Sequence, residues 1–300
     1  MNIVVLSKGP GNYSTKRLVE EAKKRGHDVR VINYAKCYVT LERGNPVVHY
    51  KGEEVTNVDA IIPRISSSLT KYGSSIVRQF EMQNVFTTTS SIAIVRSRDK
   101  LRSMQILAKA GVGIPKTVFA KETADFEGVL EQVGGAPVII KIARGTHGNG
   151  VVLGETRKAA LAVMQAFYVE GVNFLVQEYI GESAGVDIRA FVVNGKVIAS
   201  MLRQSLDDDF RSNIHQGGSG IPVKLTEEER KTAQRAAKAM GLPICGVDMM
   251  RSNKGPLVLE VNCSPGFAIE KITDRDVASK IIDYIEQNAK ARRKKDKVGA

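Results

Sequence analysis

In the strand-like stretch Leu257–Asn262, Glu260 and Asn262 stand two residues apart in an otherwise apolar run, so both side chains point to one face. Upstream, Asp248 lies in "GVDMMR", and Ser252, Asn253, Lys254 and Gly255 between the two segments are turn-forming residues. With an odd loop, such as Asn253–Lys254–Gly255, Asp248 falls directly opposite Glu260; an even loop shifts the pairing by one residue. Carboxylates opposed across strands repel unless a cation sits between them. Asp248, Glu260 and Asn262 offer only hard oxygen donors, which select magnesium or manganese and leave positions for phosphate and water. A hairpin with its polar side in solvent has the same pattern, and spacing alone leaves both readings open.

A magnesium site of this kind calls for a phosphate, and three stretches offer one. "VIIKIARGTHGNG" embeds Lys141 in an apolar strand and places Gly145, Gly148 and Gly150 in the following turn. A buried ammonium needs an anion, and glycines let backbone N–H groups approach phosphate oxygens; a plain tight turn reads the same way. "FLVQEYI" presents Gln177, Glu178 and Tyr179, whose backbone suits an adenine edge, followed by Asp187 for ribose hydroxyls or for an ion pair with a neighbouring strand. "DDDFRSNIHQGGSG" adds Arg211 and Asn213, and the Arg211 guanidinium forks both phosphate and carboxylate.

These residues need a scaffold. "NIVVLS", a helix capped at Ser14 and closed by Gly26, "DVRVIN" and "VDAIIPRIS" predict a βαβ start with a parallel sheet over residues 1–95. A helix from Ser97 to Gly111, the strand "KTVFA", a polar helix near Thr123–Val133 and the Gly-rich hairpin predict an α+β lobe over 96–175. Residues 176–289 carry the remaining strands, a helix beginning at Glu227 and a last helix with Val277, Ile281 and Tyr284 on its apolar stripe. Residues 290–300 form a basic tail. The expected class is α/β (α+β).

The 300 residues suffice for two or three small domains, and no apolar run approaches the roughly 18 residues of a membrane span. The N-terminus has no signal-peptide pattern. Three cysteines without CxxC spacing fit neither a disulfide framework nor zinc, and a cytoplasmic setting is expected. The net charge of +12 predicts anionic partners. No nucleic-acid signature accompanies it, and "GPGNYS" lacks the third glycine of a dinucleotide fingerprint. An oxidoreductase or an RNA-binding role leaves Lys141 and the carboxylates unexplained.

Taken in order, "RDKLRSMQ", "VGGAPVIIK", "GTHGNGVVL", "DIRAFVV", "DFRSNIHQGG" and "EVNCSPG" resemble the RimK family of ATP-grasp glutamate ligases, over nearly the whole chain. The resemblance implies an ATP-grasp fold: a pre-ATP-grasp domain, then two lobes clamping ATP. It assigns Lys100 and Lys141 to ATP, Gln177, Glu178 and Tyr179 to the adenine region, Asp187 to the ribose, and Arg211, Ser212 and Asn213 to the phosphates. It makes Asp248, Glu260 and Asn262 the ligands of two Mg2+ or Mn2+ ions, with Glu260 bridging. It further implies a homo-oligomer that adds L-glutamate to the acidic C-terminal tail of a ribosomal protein, or builds free poly-α-glutamate; a small-molecule acceptor is the alternative. "SPGFAIEK" departs from the family's common "SPGLEGIE" by one residue, where an acceptor would dock, and Arg144 and His147 replace a common Glu and Gln.

Overall fold

The structure, a computed structural model, describes residues 1–120, 125–142, 150–205 and 219–289. Strand β1 (Asn2–Ser7) leads through helix α1 (Tyr13–Lys24) to β2 (Asp28–Ile32), which pairs parallel with it from Asn2↔Asp28 onward. An antiparallel side sheet of β3 (Cys37–Glu42), β4 (Asn45–Tyr50) and β5 (Glu53–Glu54) follows, which the sequence pattern did not announce. Strand β6 (Ala60–Arg64), helix α2 (Thr70–Met82) and β7 (Phe86–Thr87) complete a parallel sheet of order β2-β1-β6-β7.

Two local expectations are corrected. Helix α1 starts after Asn12, and Ser14 lies within its first turn, where its hydroxyl accepts the Phe267 backbone N–H at 3.0 Å. The single helix expected from Ser97 is two, α3 (Ser91–Arg98) and α4 (Lys100–Lys109), broken at Asp99. Asp99 has extended φ/ψ, and its carboxylate caps α4 by accepting the Arg102 N–H, which places Lys100 at the first helical position.

The middle of the chain supplies β8 (Thr117–Ala120), α5 (Phe126–Gln132), β9 (Val138–Ile142), β10 (Val151–Gly154), α6 (Arg157–Val169) and β11 (Phe174–Glu178). Its strands form an antiparallel sheet of order β10-β9-β11-β8. Next come β12 (Val186–Val193), β13 (Lys196–Gln204), β14 (Ser219–Pro222), α7 (Glu227–Met240), β15 (Ile244–Met250) and β16 (Leu257–Asn262), in an antiparallel sheet of order β14-β13-β12-β15-β16. Helix α7 opens with a capping box between Thr226 and Glu229 and three glutamates against its positive end, and Gly241 closes it in the left-handed region. Helices α8 (Ala268–Thr273) and α9 (Val277–Asn288) end the described chain, α9 burying Val277, Ile281, Tyr284 and Ile285.

Packing groups these elements unequally. Val4, Leu6 and Ile61 of the first sheet share a core with Met104 and Leu107 of α4, Ile188 and Val192 of β12, and Ala233 and Met240 of α7. A second core joins Leu18 of α1 to Phe191, Phe267, Ile281 and Ile285. The middle sheet keeps a separate core, from Ala120 to Val176, with α5 and α6 on one face. Its other face is thereby left for the C-terminal sheet. No helix among the described residues is long and apolar enough to cross a membrane.

Candidate active site

The site begins with period-2 alternation on β12. Ile188, Ala190 and Val192 face the core beneath α7, so Asp187 and Arg189 face the opposite side. Strand register then builds a line of charges across the sheet. Asp187 pairs with Arg203 of β13, Arg189 with Asp248 of β15, and Asp248 with Glu260 of β16. Arg203 forks Asp187, with Nε donating to Oδ1 at 2.6 Å, and its Nη2 also reaches Asp248 Oδ2 at 2.8 Å. Arg189 grips Asp248 from the other side through Nε to Oδ1 at 2.7 Å and Nη2 to Oδ2 at 2.6 Å. Gly246, opposite Asn262, makes room: a Cβ there would lie 3.1 Å from Pro265 Cβ and 3.6 Å from Arg189 Nε.

Asp248 does face Glu260, though not through an odd loop. Met249 pairs with Val258 and Met250 with Leu257, so the connection runs from 251 to 256, an even number of residues. Between the Met249 and Asp248 pairs the register shifts, leaving Leu259 as the extra residue of a β-bulge. The bulge turns Glu260 onto the charged face; were the pairing regular, Leu259 would oppose Asp248, and Glu260 would oppose Val247 and point into the core.

Lys141 approaches from the middle sheet. Its neighbours Val138 and Ile140 are buried in that sheet's own core, so Lys141 projects from the free face. There it feels the charges of Glu260 and Lys100, which brings together residues of β9, β16 and α4. Burial lowers the Lys141 ammonium to about 8, with Lys100 adding to the effect and Glu260 opposing it. Lys100 is lowered for the same first reason, burial, and Glu260 opposes. Burial, then Asp248, push the Glu260 carboxyl up, against Arg189, Arg203 and Lys141. Its side chain is nevertheless reachable by water, so it lines the wall of a cleft rather than a closed interior. For Asp248, 3% exposed, burial alone would raise the value; Arg189 and Arg203 reverse this and bring it to about 2.

Among the described residues four cations (Lys100, Lys141, Arg189, Arg203) thus meet three carboxylates (Asp187, Asp248, Glu260). An excess of positive charge does not suit a bare divalent ion, but it suits a polyanion that arrives with its metal. The donor set fits that metal. Asp248 and Glu260 oppose each other across the strand pair, and Asn262 Oδ1, which accepts the Ser264 N–H at 2.9 Å, retains a second lone pair. Among the described residues no three His, Cys, Asp or Glu side chains gather as a metal cluster, so a third oxygen donor beside Asp248 and Glu260 would have to come from another residue type, such as the Asn262 amide.

The remaining expected residues divide. The Gln177 amide is buried and donates to Thr117 Oγ1 at 2.8 Å, and its backbone lies in the inner strand β11, paired with β8 and β9. Glu178 closes the seam between the sheets: Oε1 accepts the Lys116 N–H at 2.8 Å and Oε2 accepts Lys254 Nζ at 2.6 Å. Tyr179 follows it, half-buried. Asp187 is a buried member of the charge line, both oxygens engaged by Arg203. Arg211, Ser212 and Asn213 lie outside the described residues, as do Gly145, Gly148 and the basic tail. The sequence reading missed Arg203, although an arginine at alternate spacing in the apolar run "KVIASMLRQ" signals a buried anionic partner.

A RimK PreATP-grasp domain model matches residues 1–94 and a RimK-like ATP-grasp domain model matches residues 97–285. A probable alpha-L-glutamate ligase of Hydrogenovibrio crunogenus is 56% identical over 291 residues, 97% of each chain. Among solved structures, a RimK domain ATP-grasp protein of Sphaerobacter thermophilus superposes with a TM-score of 0.72 at 19% identity, over 95% of this chain and 100% of that one. The ATP-grasp ligase PsnB, complexed with a minimal precursor, Mg and ADP, gives 0.72 at 19% identity, over 96% and 98%.

Proposed function

The chain belongs to the RimK family of ATP-grasp ligases, which are ATP-dependent and form C–N bonds, and on that premise we propose that it joins L-glutamate to the C-terminal carboxylate of an acidic ribosomal-protein tail. The observation that carries this reading is the Asp248–Glu260 pair facing Lys141 and Lys100 across the cleft. Lys141 and Lys100 neutralise the nucleotide phosphates, the backbone at Glu178–Tyr179, next to Gln177, edges the adenine, and Asp187 accepts ribose hydroxyls. Arg211, Ser212 and Asn213 complete the phosphate contacts. Asp248, Glu260 and Asn262 would hold two Mg2+ or Mn2+ ions, which would screen the charge on the transferring phosphoryl group.

The chemistry balances without a protein nucleophile. The acceptor carboxylate oxygen attacks the γ-phosphorus, the bond to the β-bridging oxygen breaks, and ADP leaves. The glutamate amine then attacks the acyl carbon, the C–N bond forms, phosphate departs with the C–O electron pair, and the amine gives up its proton. Repetition lengthens the tail, or a free poly-α-glutamate chain. The family setting extends the proposal to a cytoplasmic homo-oligomer, in which the buried thiols Cys37, Cys245 and Cys263 stay reduced. A small-molecule acceptor would use the same steps.

Intact mass spectrometry tests this. With ATP, Mg2+ and L-glutamate, a ribosomal acceptor should gain mass in whole glutamyl steps, and chelation of the metal should stop it. ADP release with an unmodified acceptor would remove the protein tail from the reading. The assignment of Lys141 makes a pH prediction. A lysine that must be charged to meet ATP loses that charge as pH rises through about 8. kcat/KM for ATP should therefore fall above that pH, approaching about tenfold per unit. A flat profile to pH 9.5 would detach Lys141 from the nucleotide.

A further inference from the structure

A second cationic centre lies on the far side of Asn262, and the steps above make no use of it. In the parallel sheet the chain leaves β1 toward β2 on one side and returns at β6 on the other. The carboxyl ends of β1 and β6 therefore flank the topological switch point, where open parallel sheets take their ligands. Strand β6 ends there in Arg64. The Cys263–Phe267 segment, which continues the carboxylate strand β16, docks against the same end. Arg64 Nη2 donates to the Pro265 carbonyl at 2.8 Å, and its guanidinium lies 5.2 Å from the centre of the Phe267 ring.

Arg98, the last residue of α3, joins it: Arg98 Nη2 donates to the Ile65 carbonyl at 3.1 Å. Two buried atoms at this junction have no hydrogen-bond partner, Arg98 Nε and Ser264 Oγ. Burial lowers Arg64 to about 10, and the positive charge of Arg98 lowers it further, with only Cys263 opposing. Among the described residues no carboxylate pairs with either guanidinium. The contrast with the charge line is sharp, because Arg189 and Arg203 are each answered there by aspartate. Enclosed guanidinium groups that repel each other, beside orphan donors, describe a place for an anion.

We infer that Arg64, Arg98 and Ser264 form the subsite for a carboxylate of the incoming amino acid. The inference rests on the ligase reading and selects between its two substrates. The acceptor's reacting carboxylate loses its charge when it becomes an acyl phosphate and then an amide. The incoming glutamate keeps both carboxylates charged from binding to product. A fixed guanidinium pair matches a charge that persists, and its planar forks fit a carboxylate. The place also suits it: Ser264 follows Asn262 by two residues and its N–H donates to Asn262 Oδ1, so an amino acid held here lies beside the strand that carries Glu260 and Asn262.

Arg64→Met and Arg98→Met should each raise KM for L-glutamate about 10- to 100-fold, with KM for ATP changed less than about twofold. Hydroxylamine trapping of the acyl phosphate, run without glutamate, should proceed as in the unmodified protein. The unmodified protein should also prefer glutamate over one of its two monoamides, and the arginine variants should lose that preference, which loosened packing would not bring about. Unchanged KM for glutamate in both variants, or parallel loss of ATP affinity and of trapped acyl phosphate, would overturn the subsite. Should Arg64→Met not fold, Arg64→Lys and Arg98→Lys carry the same test, since an ammonium keeps the charge and loses the fork. No glutamate-dependent product from the unmodified protein would sink the ligase reading, whereas normal turnover with unchanged KM in the variants would sink the subsite alone.

Discussion

Glu260→Gln is expected to lower ADP formation by about 10³-fold or more while the protein stays folded. The amide is isosteric with the carboxylate, so packing is kept, yet it is a poor ligand for a hard divalent ion and carries no charge to anchor one. The fold should not suffer, because Glu260 opposes the like-charged Asp248 and both burial and that neighbour disfavour its ionised form. Removing its charge leaves Asp248 still held by Arg189 and Arg203. ADP release and a thermal melt on the same preparation check both halves. Normal turnover would end the metal assignment; a lowered melting temperature would mean that Glu260 stabilises the fold instead.

Arg203→Met should cost about 3–5 kcal/mol of folding stability. Arg203 is 4% exposed and touches both Asp187 and Asp248. Its removal leaves Asp187 ionised in a buried position without the guanidinium that neutralises both its oxygens, while Asp248 keeps Arg189. The double variant Arg203→Met/Asp187→Leu should recover most of the loss, since replacing a buried pair by apolar groups of similar size is far less costly than breaking it. Urea denaturation of the unmodified protein and the two variants separates the cases. A single variant within about 0.5 kcal/mol of the unmodified protein would show that this face of the sheet is effectively solvated.

Much of the scaffold was legible along the chain because it follows from local rules. The parallel βαβ opening, the stop of α1 at Gly26 and the buried stripe of α9 came from period and capping chemistry. The same rules failed at Ser14 and at Asp99. In both places several short polar side chains compete for one cap, and the winner depends on what packs nearby: Ser14 answers Phe267, 253 positions away.

The residue types and their period-2 spacing determined that Glu260 and Asn262 share a face, that Lys141 leaves an apolar strand needing an anion, and that the donors are hard oxygens. Whether Asp248 meets Glu260 was a matter for the backbone alone. The even connection places them on opposite faces, and the bulge at Leu259 brings them together, because an extra residue in a strand of period two reverses every side chain beyond it. Tertiary structure also decided which arginines are answered. Arg203 lies opposite Asp187 through an antiparallel register, whereas Arg64 bonds the Pro265 carbonyl, 201 positions away, and Arg98 the Ile65 carbonyl, with no carboxylate among the described residues to receive either. Pairing of that kind depends on which strand ends the fold brings side by side, and long-range packing of this sort leaves no periodic trace in the sequence.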